Sequence, residues 1–599
     1  MMLRARRMVR IFSAALLGAL LGLFGRLVWL HVATAPAAVE RQERQSTTAG
    51  VRLARRGSLC DRRGQPLSQS VEEVAVTVWP PSITEGPKGP RSPAEVVASL
   101  SSIAGFLEPI LGVPAEQLAP AMLARDSQGR PRNARLGSPV TDPALIDRLL
   151  AERERPRGAL RRVDLEHDWK REHPFGNCAG PLLGFVNHDG VGGSGLEHGL
   201  DEILDCTVNG TLPTRHGAGS FAMADANSAP QQPLDGFDVL LTLDVVCQQI
   251  VEEELARSCA ELHAVGGSAV LLEVATGDVL ALASVPGLDP TDTATWTTAG
   301  QVLRPVQTVY SPGSTFKPFM MAAALDLGII HRDSRVNCKP DSGRDALFGK
   351  RRIHDTHPEH YPASGLLDLQ GILVESSNVG MARILTSLLP PGHDRDTELM
   401  RPVYDVLRAL GIGHRTGVPV AAEAAGLITP LSKWSRNQTL ASVAFGHEIA
   451  VTPLQMAAIT ASLGDGTFRA PRLIRAYRDQ DGQRTEMPVA PATRVFTQAN
   501  ADLVRGLMRA VVDEGQARCV AVPGVPVSGK TGTTVDERDK SKETHSFVAL
   551  VPTDAPVIAL VVVLEQPKGF RYAAQTVAPT TGRILNRVVP YLGIGGSQP

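Results

Sequence analysis

The sequence predicts an α+β protein: an antiparallel sheet packed with helices, preceded by an N-terminal module and a single membrane-spanning helix. Three observations point there. The stretch IFSAALLGALLGLFGRLVWL, from Ile11 to Leu30, carries Arg26 as its only charge. Two pairs of apolar, strand-like segments lie far apart in the chain, Ser268–Val274 with Val279–Ala283 and Phe547–Val551 with Val557–Leu564, each joined by turn residues. Between the apolar run and these pairs, the Pro/Gly-rich stretch from His216 to Gly236 reads as a domain boundary.

The apolar run is long enough to cross a hydrocarbon core of about 30 Å, and an Arg near its end can reach the headgroups. Arg4, Arg6, Arg7 and Arg10 precede it, which places the N-terminus in the cytoplasm. The expected layout is a cytoplasmic tail over 1–10 and an anchor over 11–32, with everything later outside the cytoplasm. A cleaved signal peptide is the alternative, since Ala33-Thr34-Ala35 resembles a cleavage site. The run exceeds the usual signal core, however, and Pro36 follows directly.

A chain of 599 residues should hold more than one domain. With 43% apolar and 21% charged residues it can bury a sizeable core, and wholesale disorder is excluded. A net charge of −1 argues against a polyanion-binding surface, so nucleic acid is not an expected partner. The 7 cysteines form no CxxC pair, so neither a zinc knuckle nor a thioredoxin-like site is visible. Cys247 and Cys259 fall on the apolar face of a helix and read as buried thiols, while Cys178 with Cys206 is a candidate disulfide.

The expected domains are 50–235 and 237–597. In the first, helical patterns such as Ala94–Leu107 and Pro143–Glu152 alternate with short strand-like pieces, and no catalytic constellation is visible. In the second, the strand VLLTL leads into a helix from Asp244 with Val251, Leu255, Cys259 and Leu262 at helical spacing.

Three short motifs follow in order within this second region: Ser314-Thr315-Phe316-Lys317, Ser376-Ser377-Asn378 and Lys530-Thr531-Gly532-Thr533. Ser and Lys at i, i+3 share a helix face, so an amine in a partly desolvated cleft could take the serine proton. That pairing describes an activated nucleophile. Pro318 requires that the helix has only just begun, which puts Ser314 at its N-terminus, where free N–H groups and the dipole can stabilise an oxyanion. Ser376 to Asn378 lie between the helical patterns Leu366–Val374 and Val379–Leu388, where a loop can offer polar groups to a cleft. Lys530 to Thr533 end a strand-like segment. There Gly532 leaves room for a substrate backbone, and a cation beside two hydroxyls suits a carboxylate.

Together these motifs resemble the SxxK, SxN and KTG boxes of penicillin-binding proteins and serine β-lactamases. The resemblance extends to RRGSLCDRRGQPLS (Arg55–Ser68) and to the stretch His173–Asp201 ending in G-L-E-H-G-L-D, and covers most of the chain from Arg55 to Gly593. It implies a transpeptidase domain of the penicillin-binding and β-lactamase type on an elongated N-terminal pedestal. It also implies roles. Ser314 would be the nucleophile on the penultimate D-Ala carbonyl of a stem peptide and Lys317 the base. Ser376 would relay a proton to the leaving amine, and Asn378 would bind the donor amide. Lys530, Thr531 and Thr533 would hold the terminal carboxylate beside Gly532, and the N–H groups of Ser314 and Thr533 would form the oxyanion hole. No metal, nucleotide or other cofactor is required.

The absence of a glycosyltransferase-like acidic signature before Gly236 implies a monofunctional, class B enzyme. SSNVG (Ser376–Gly380) and SVAFGHEIAVTPLQMA (Ser442–Ala457) resemble the septal, cell-division branch more than the elongation branch. Implied partners are peptidoglycan stem peptides, β-lactams, a membrane glycan polymerase of the shape, elongation and division type, and division proteins. The implied location is the cytoplasmic membrane, single-pass, with the catalytic domain outside the cytoplasm. Two positions depart from the family pattern: Cys60, where an aliphatic or aromatic residue is usual, and Ala549, where glycine is expected.

Competing readings are weaker. Gly524 to Thr531 satisfies the Walker A pattern, but the polar, aperiodic stretch that follows cannot be the helix a phosphate loop opens into. Gly190 to Gly195 matches G-x-G-x-x-G without a βαβ context and reads as a turn. His354, His357 and His360 have metal-like spacing, but Pro358 and Pro362 break any helix that would align them, so a solvated loop is expected. On the same fold, an elongation-type transpeptidase, a D,D-carboxypeptidase and a non-catalytic β-lactam sensor or scaffold are the alternative functions.

Overall fold

The computed structural model describes residues 54–86, 89–205, 214–216, 220–222, 235–343, 345–390, 392–535, 539 and 542–595. The expected anchor over 11–32, Cys206 and most of the Pro/Gly-rich stretch lie outside the described residues.

Strands β1 (Leu59–Cys60) and β2 (Pro66–Val78) pair antiparallel. The turn joining them is built by Asp61, whose Oδ1 accepts from the N–H of Arg63 at 2.8 Å and Gln65 at 2.9 Å, and by Gly64 at φ 86°. Helix α1 (Pro93–Leu111) starts at a reciprocal Ser92–Glu95 capping box with proline in its first turn, and ends at left-handed Gly112. Among the described residues it is the one helix long and apolar enough to cross a membrane. Its stripe of Leu100, Ile103, Ala104, Leu107 and Ile110 is buried in a cluster with Val74, Val76 and Val78 of β2. A second helix, Pro143–Glu154, is capped by Asp142, and β3 (Asp164–Glu172) pairs antiparallel along β2.

Next come β4 (Asp238–Leu241) and α2 (Val245–Glu261), the latter capped by the Asp244 carboxylate. Cys247 and Cys259 are both buried on α2, as expected. The expected hairpin is β5 (Gly266–Glu273) with β6 (Val279–Val285), antiparallel. Helices α3 (Lys317–Asp326), α4 (Asn378–Thr386) and α5 (Pro453–Asp465) follow, then β7 (Ile474–Arg478) and α6 (Gln498–Asp513). The chain finishes with β8 (Ser528–Val535), β9 (Glu543–Val551), β10 (Ile558–Glu565) and α7 (Val577–Tyr591). Leu366–Val374, expected as one helix, is instead strand Leu366–Asp368 and helix Leu369–Val374, because Asp368 Oδ1 takes the N–H of Gly371 and caps a later start.

The main sheet runs β6-β5-β10-β9-β8, antiparallel throughout. Its strands are apolar on both faces because helices cover both. Val270, Leu272, Val561 and Val563 point into a cluster with α3, α4, α5 and α6. Ala269, Leu271, Val562 and Leu564 point the other way, against α2 and α7. Ala549 is on this second face and fully buried.

A second sheet has the order Arg484–Glu486, β7, β4, β1, β2, Ala134–Arg135, with β3 also on β2. β1 pairs parallel with β4, so residues from both sides of the Pro/Gly-rich stretch share one sheet. Beneath it lies a buried ionic knot. Arg56 Nε contacts Glu197 Oε2 at 2.7 Å, Arg171 Nη2 contacts Glu197 Oε1 at 2.6 Å, and Ser68 Oγ donates to Glu197 Oε1 at 2.8 Å. Burial by itself would raise the Glu197 carboxyl, but the Arg171 and Arg56 guanidiniums outweigh it and hold it below its ordinary value.

Candidate active site

Ser314 is on a short 3-10 turn, Gly313–Phe316, which runs directly into α3, with Pro318 in the helix's first turn as expected. The turn is bolted in place: Gly313 N donates to Gly446 O at 3.0 Å, and Ser311 Oγ donates to the same oxygen at 2.9 Å. A Cβ on Gly446 would come within 2.2 Å of Gly313 O, which is why a glycine is needed there.

Lys317 and Lys530 are 0% and 1% exposed, and both reach Ser376. Lys317 Nζ donates to Ser376 O and, at 3.1 Å, to Ser376 Oγ. Lys530 Nζ donates to Ser376 Oγ at 3.0 Å and to Thr531 O at 3.1 Å. The hydroxyl of the second motif is thus clamped between the lysines of the first and third. Burial, then Lys530, holds Lys317 well below the usual lysine range, with Asp355 opposing. Burial alone lowers Lys530 to about 7. An amine lowered this way can be neutral near neutral pH, which a general base requires.

Ser376 has φ 56°, a left-handed backbone that is costly for a non-glycine residue. That conformation turns the chain out of the preceding helix and starts α4. Ser377 caps α4, its Oγ accepting from Gly380 N at 2.9 Å and donating to Asp355 Oδ2 at 2.7 Å. Asn378, expected in a loop, is the first residue of α4, and its Nδ2 donates to His354 O at 2.8 Å.

Gly532 differs from expectation in its reason. A Cβ there would meet Ser546 Oγ at 2.9 Å, Thr315 Cγ2 at 2.9 Å and Pro312 O at 3.0 Å. The missing side chain lets β8 pack against the Ser314 turn. Thr533 Oγ1 accepts from Ala573 N at 3.1 Å, which ties β8 to the segment before α7. A cavity of about 780 Å³ runs alongside, lined by Tyr310, Ser311, His447, Glu448, Thr534 and Glu543 among others.

Two residues escaped the sequence reading. Asp355, 1% exposed, accepts from Ser377 Oγ, from the N–H groups of Asn378 and Val379, and from Tyr361 OH at 2.9 Å. It lies in HDTHPEHYP, a stretch whose sequence draws attention to its histidines alone. His447, on the cavity wall, is lowered to about 4 by burial, then by Arg351 and Lys317. It sits in the Ser442–Ala457 stretch, whose resemblance gives the histidine no role of its own. The HDTHPEHYP prolines do exclude an α-helix, and the stretch is largely exposed, yet the one-turn 3-10 helix Pro358–His360 brings the rings of His357 and His360 together.

Residues 267–586 match the model of the penicillin-binding protein transpeptidase domain. The chain is 28% identical to the probable peptidoglycan D,D-transpeptidase PenA of Neisseria meningitidis, over 96% of this chain and 91% of that one. It is 27% identical to the peptidoglycan D,D-transpeptidase FtsI of Escherichia coli, over 98% and 92%. In fold it is similar to penicillin-binding protein 3 of Mycobacterium tuberculosis, solved with aztreonam: TM-score 0.65, 23% identity, covering 92% of this chain and 99% of that one.

Proposed function

This chain belongs to the penicillin-binding protein transpeptidase family, and from that premise we propose that it cross-links peptidoglycan through an acyl-enzyme on Ser314. It is a class B, monofunctional D,D-transpeptidase of the septal type, in keeping with relatives named FtsI and PenA. The observation that carries the reading is the Ser376 hydroxyl within 3.1 Å of Lys317 and 3.0 Å of Lys530, which joins all three motifs in one buried polar cluster.

In the proposed reaction Ser314 Oγ attacks the carbonyl of the penultimate D-Ala while Lys317, neutral through burial, takes its proton. The N–H groups of Ser314 and Thr533 hold the developing oxyanion. As the C–N bond breaks, the proton reaches the leaving D-Ala amine through Ser376, whose contacts with both lysines suit a relay. Lys530 with Thr531 and Thr533 binds the terminal carboxylate, Gly532 keeps their strand close to the serine, and Asn378 holds the donor amide. An amine of a neighbouring stem then attacks the ester, forms the cross-link and frees Ser314. A β-lactam stops the cycle at the ester.

Residues 50–235 are proposed as the pedestal and 237–597 as the catalytic domain, with 11–32 as a single membrane anchor and 1–10 in the cytoplasm. A separate apolar cluster in the first part, centred on β2 and α1, supports the division. The catalytic part would then face outward, beside a membrane glycan polymerase and division proteins that supply uncross-linked strands. The test is cross-linking of a lipid-linked precursor by the full-length chain with such a polymerase. Cross-linked stems from the wild type and none from Ser314→Ala are expected. Equal cross-linking by both would refute the reading.

A further inference from the structure

Beside Glu375, the residue before Ser376, is a cluster that the transpeptidase reaction does not use. His357 and His360 have rings stacked 5.0 Å apart with 9° between their planes. One donor atom from each of His357, Glu359 and His360 lies within 4.8 Å of the others. His357 Nδ1 and Glu359 Oε1 are 3.1 Å apart. His360 Nδ1 is 3.1 Å from Glu375 Oε2. Two imidazoles and two carboxyl groups thus share one small volume. The Arg571 guanidinium is over the Tyr572 ring, which in turn packs on His357.

We propose that His357, Glu359 and His360 bind a divalent transition metal of the zinc class. Zinc takes imidazole nitrogen and carboxylate oxygen at about 2.0–2.2 Å in a tetrahedron, whose donor–donor edges are then roughly 3.3 Å. The His357–Glu359 separation is already near that length. The His360 ring reaches the ion by side-chain rotation, which exposed rings make on the picosecond to nanosecond scale. Glu375 completes the arrangement. By accepting from His360 Nδ1–H it turns Nε2 toward the ion and raises its basicity, the outer carboxylate partner that metal-bound histidines commonly have. Mixed nitrogen and oxygen donors favour zinc over magnesium or calcium, which prefer oxygen alone.

The placement gives the ion a task. His357 is two residues after Asp355, which holds Ser377 and the first N–H groups of α4, and Glu375 immediately precedes Ser376. A bound ion would tie the Asp355–Tyr361 segment to the turn that presents Ser376, and would stiffen that side of the cleft.

The test uses the full-length chain in detergent, stripped of metal and titrated with Zn²⁺ against a chromophoric chelator. Co²⁺ serves as a second probe, because its visible absorption reports tetrahedral coordination. One equivalent of Zn²⁺ at micromolar free metal is expected, together with an intense Co²⁺ spectrum and a rise in melting temperature. The double variant His357→Ala/His360→Ala should lose all three, and Glu375→Gln should bind about 10–100-fold more weakly. Circular dichroism and a cooperative thermal melt in metal-free buffer show that each variant is folded. Absence of a stoichiometric site in the wild type, or equal binding by the folded double variant, would overturn the proposal. Neither result depends on the transpeptidase reading, since the metal readouts do not involve turnover.

Discussion

Ser376 meets three demands at once: a left-handed backbone, a carbonyl that accepts from Lys317, and a hydroxyl shared by Lys317 and Lys530. Two buried amines that close cannot both be fully protonated without repulsion, so their titrations belong to the pair rather than to either lysine. If Lys317 acts neutral and Lys530 charged, the rate of Ser314 acylation by a β-lactam should be bell-shaped in pH. The alkaline limb should lie near 7 in the free enzyme and move upward with a bound carboxylate, and stopped-flow acylation rates across pH will show whether it does. The same burial affects stability. A lysine lowered in the folded state binds fewer protons there than in the unfolded chain, so stability rises with pH from about 7 for Lys530 toward the ordinary lysine value. Melting temperatures should therefore climb across that window in the wild type, and climb less in Lys530→Met. Asp355 acts as a positioning residue. Replacing it with Ala leaves the donors of Ser377, Asn378, Val379 and Tyr361 without their acceptor, and should slow acylation by at least tenfold while lowering stability by about 1–3 kcal/mol. Acylation kinetics and thermal melts on one preparation separate the two effects.

At the scale of elements, what could be read from sequence was what a period or a cap dictates. Asp244 before Val251 and Leu255 announced α2, and the apolar pairs around Thr276-Gly277 and Pro552–Pro556 announced two hairpins of the main sheet. The split of Leu366–Val374 was missed because the run is apolar enough for one helix, and only the Asp368 cap shows where it starts. The second sheet was illegible for a different reason: β1 is two residues long, too short for any period, and its partner β4 is distant in sequence. The motif residues were legible because chemistry restricts them. The reason for Gly532 was not, since its neighbours Thr315 and Ser546 come from other elements. The segments Arg55–Ser68 and His173–Asp201, recognised only by resemblance, acquire a physical role through Glu197, fully buried between Arg56 and Arg171. Glu197→Gln should cost about 3–5 kcal/mol, because two guanidiniums lose their buried counter-charge. The Glu197 carboxyl is lowered in the folded state, so its contribution is complete above about 4.3 and is lost as pH falls through the lower, folded value. Urea unfolding at neutral and acid pH should show the gap between variant and wild type shrinking with acid.

For the whole molecule, a main sheet covered by helices on both faces holds three motifs from α3, the α4 entry and β8 at one buried cluster. The central claim is that this cluster makes Ser314 an acylating nucleophile. Intact-mass measurement of the full-length chain after incubation with a β-lactam tests it most directly. The account predicts one covalent adduct per chain in the wild type and none in Ser314→Ala of equal thermal stability. An undiminished adduct in that variant, or no adduct on a folded wild type, would contradict it.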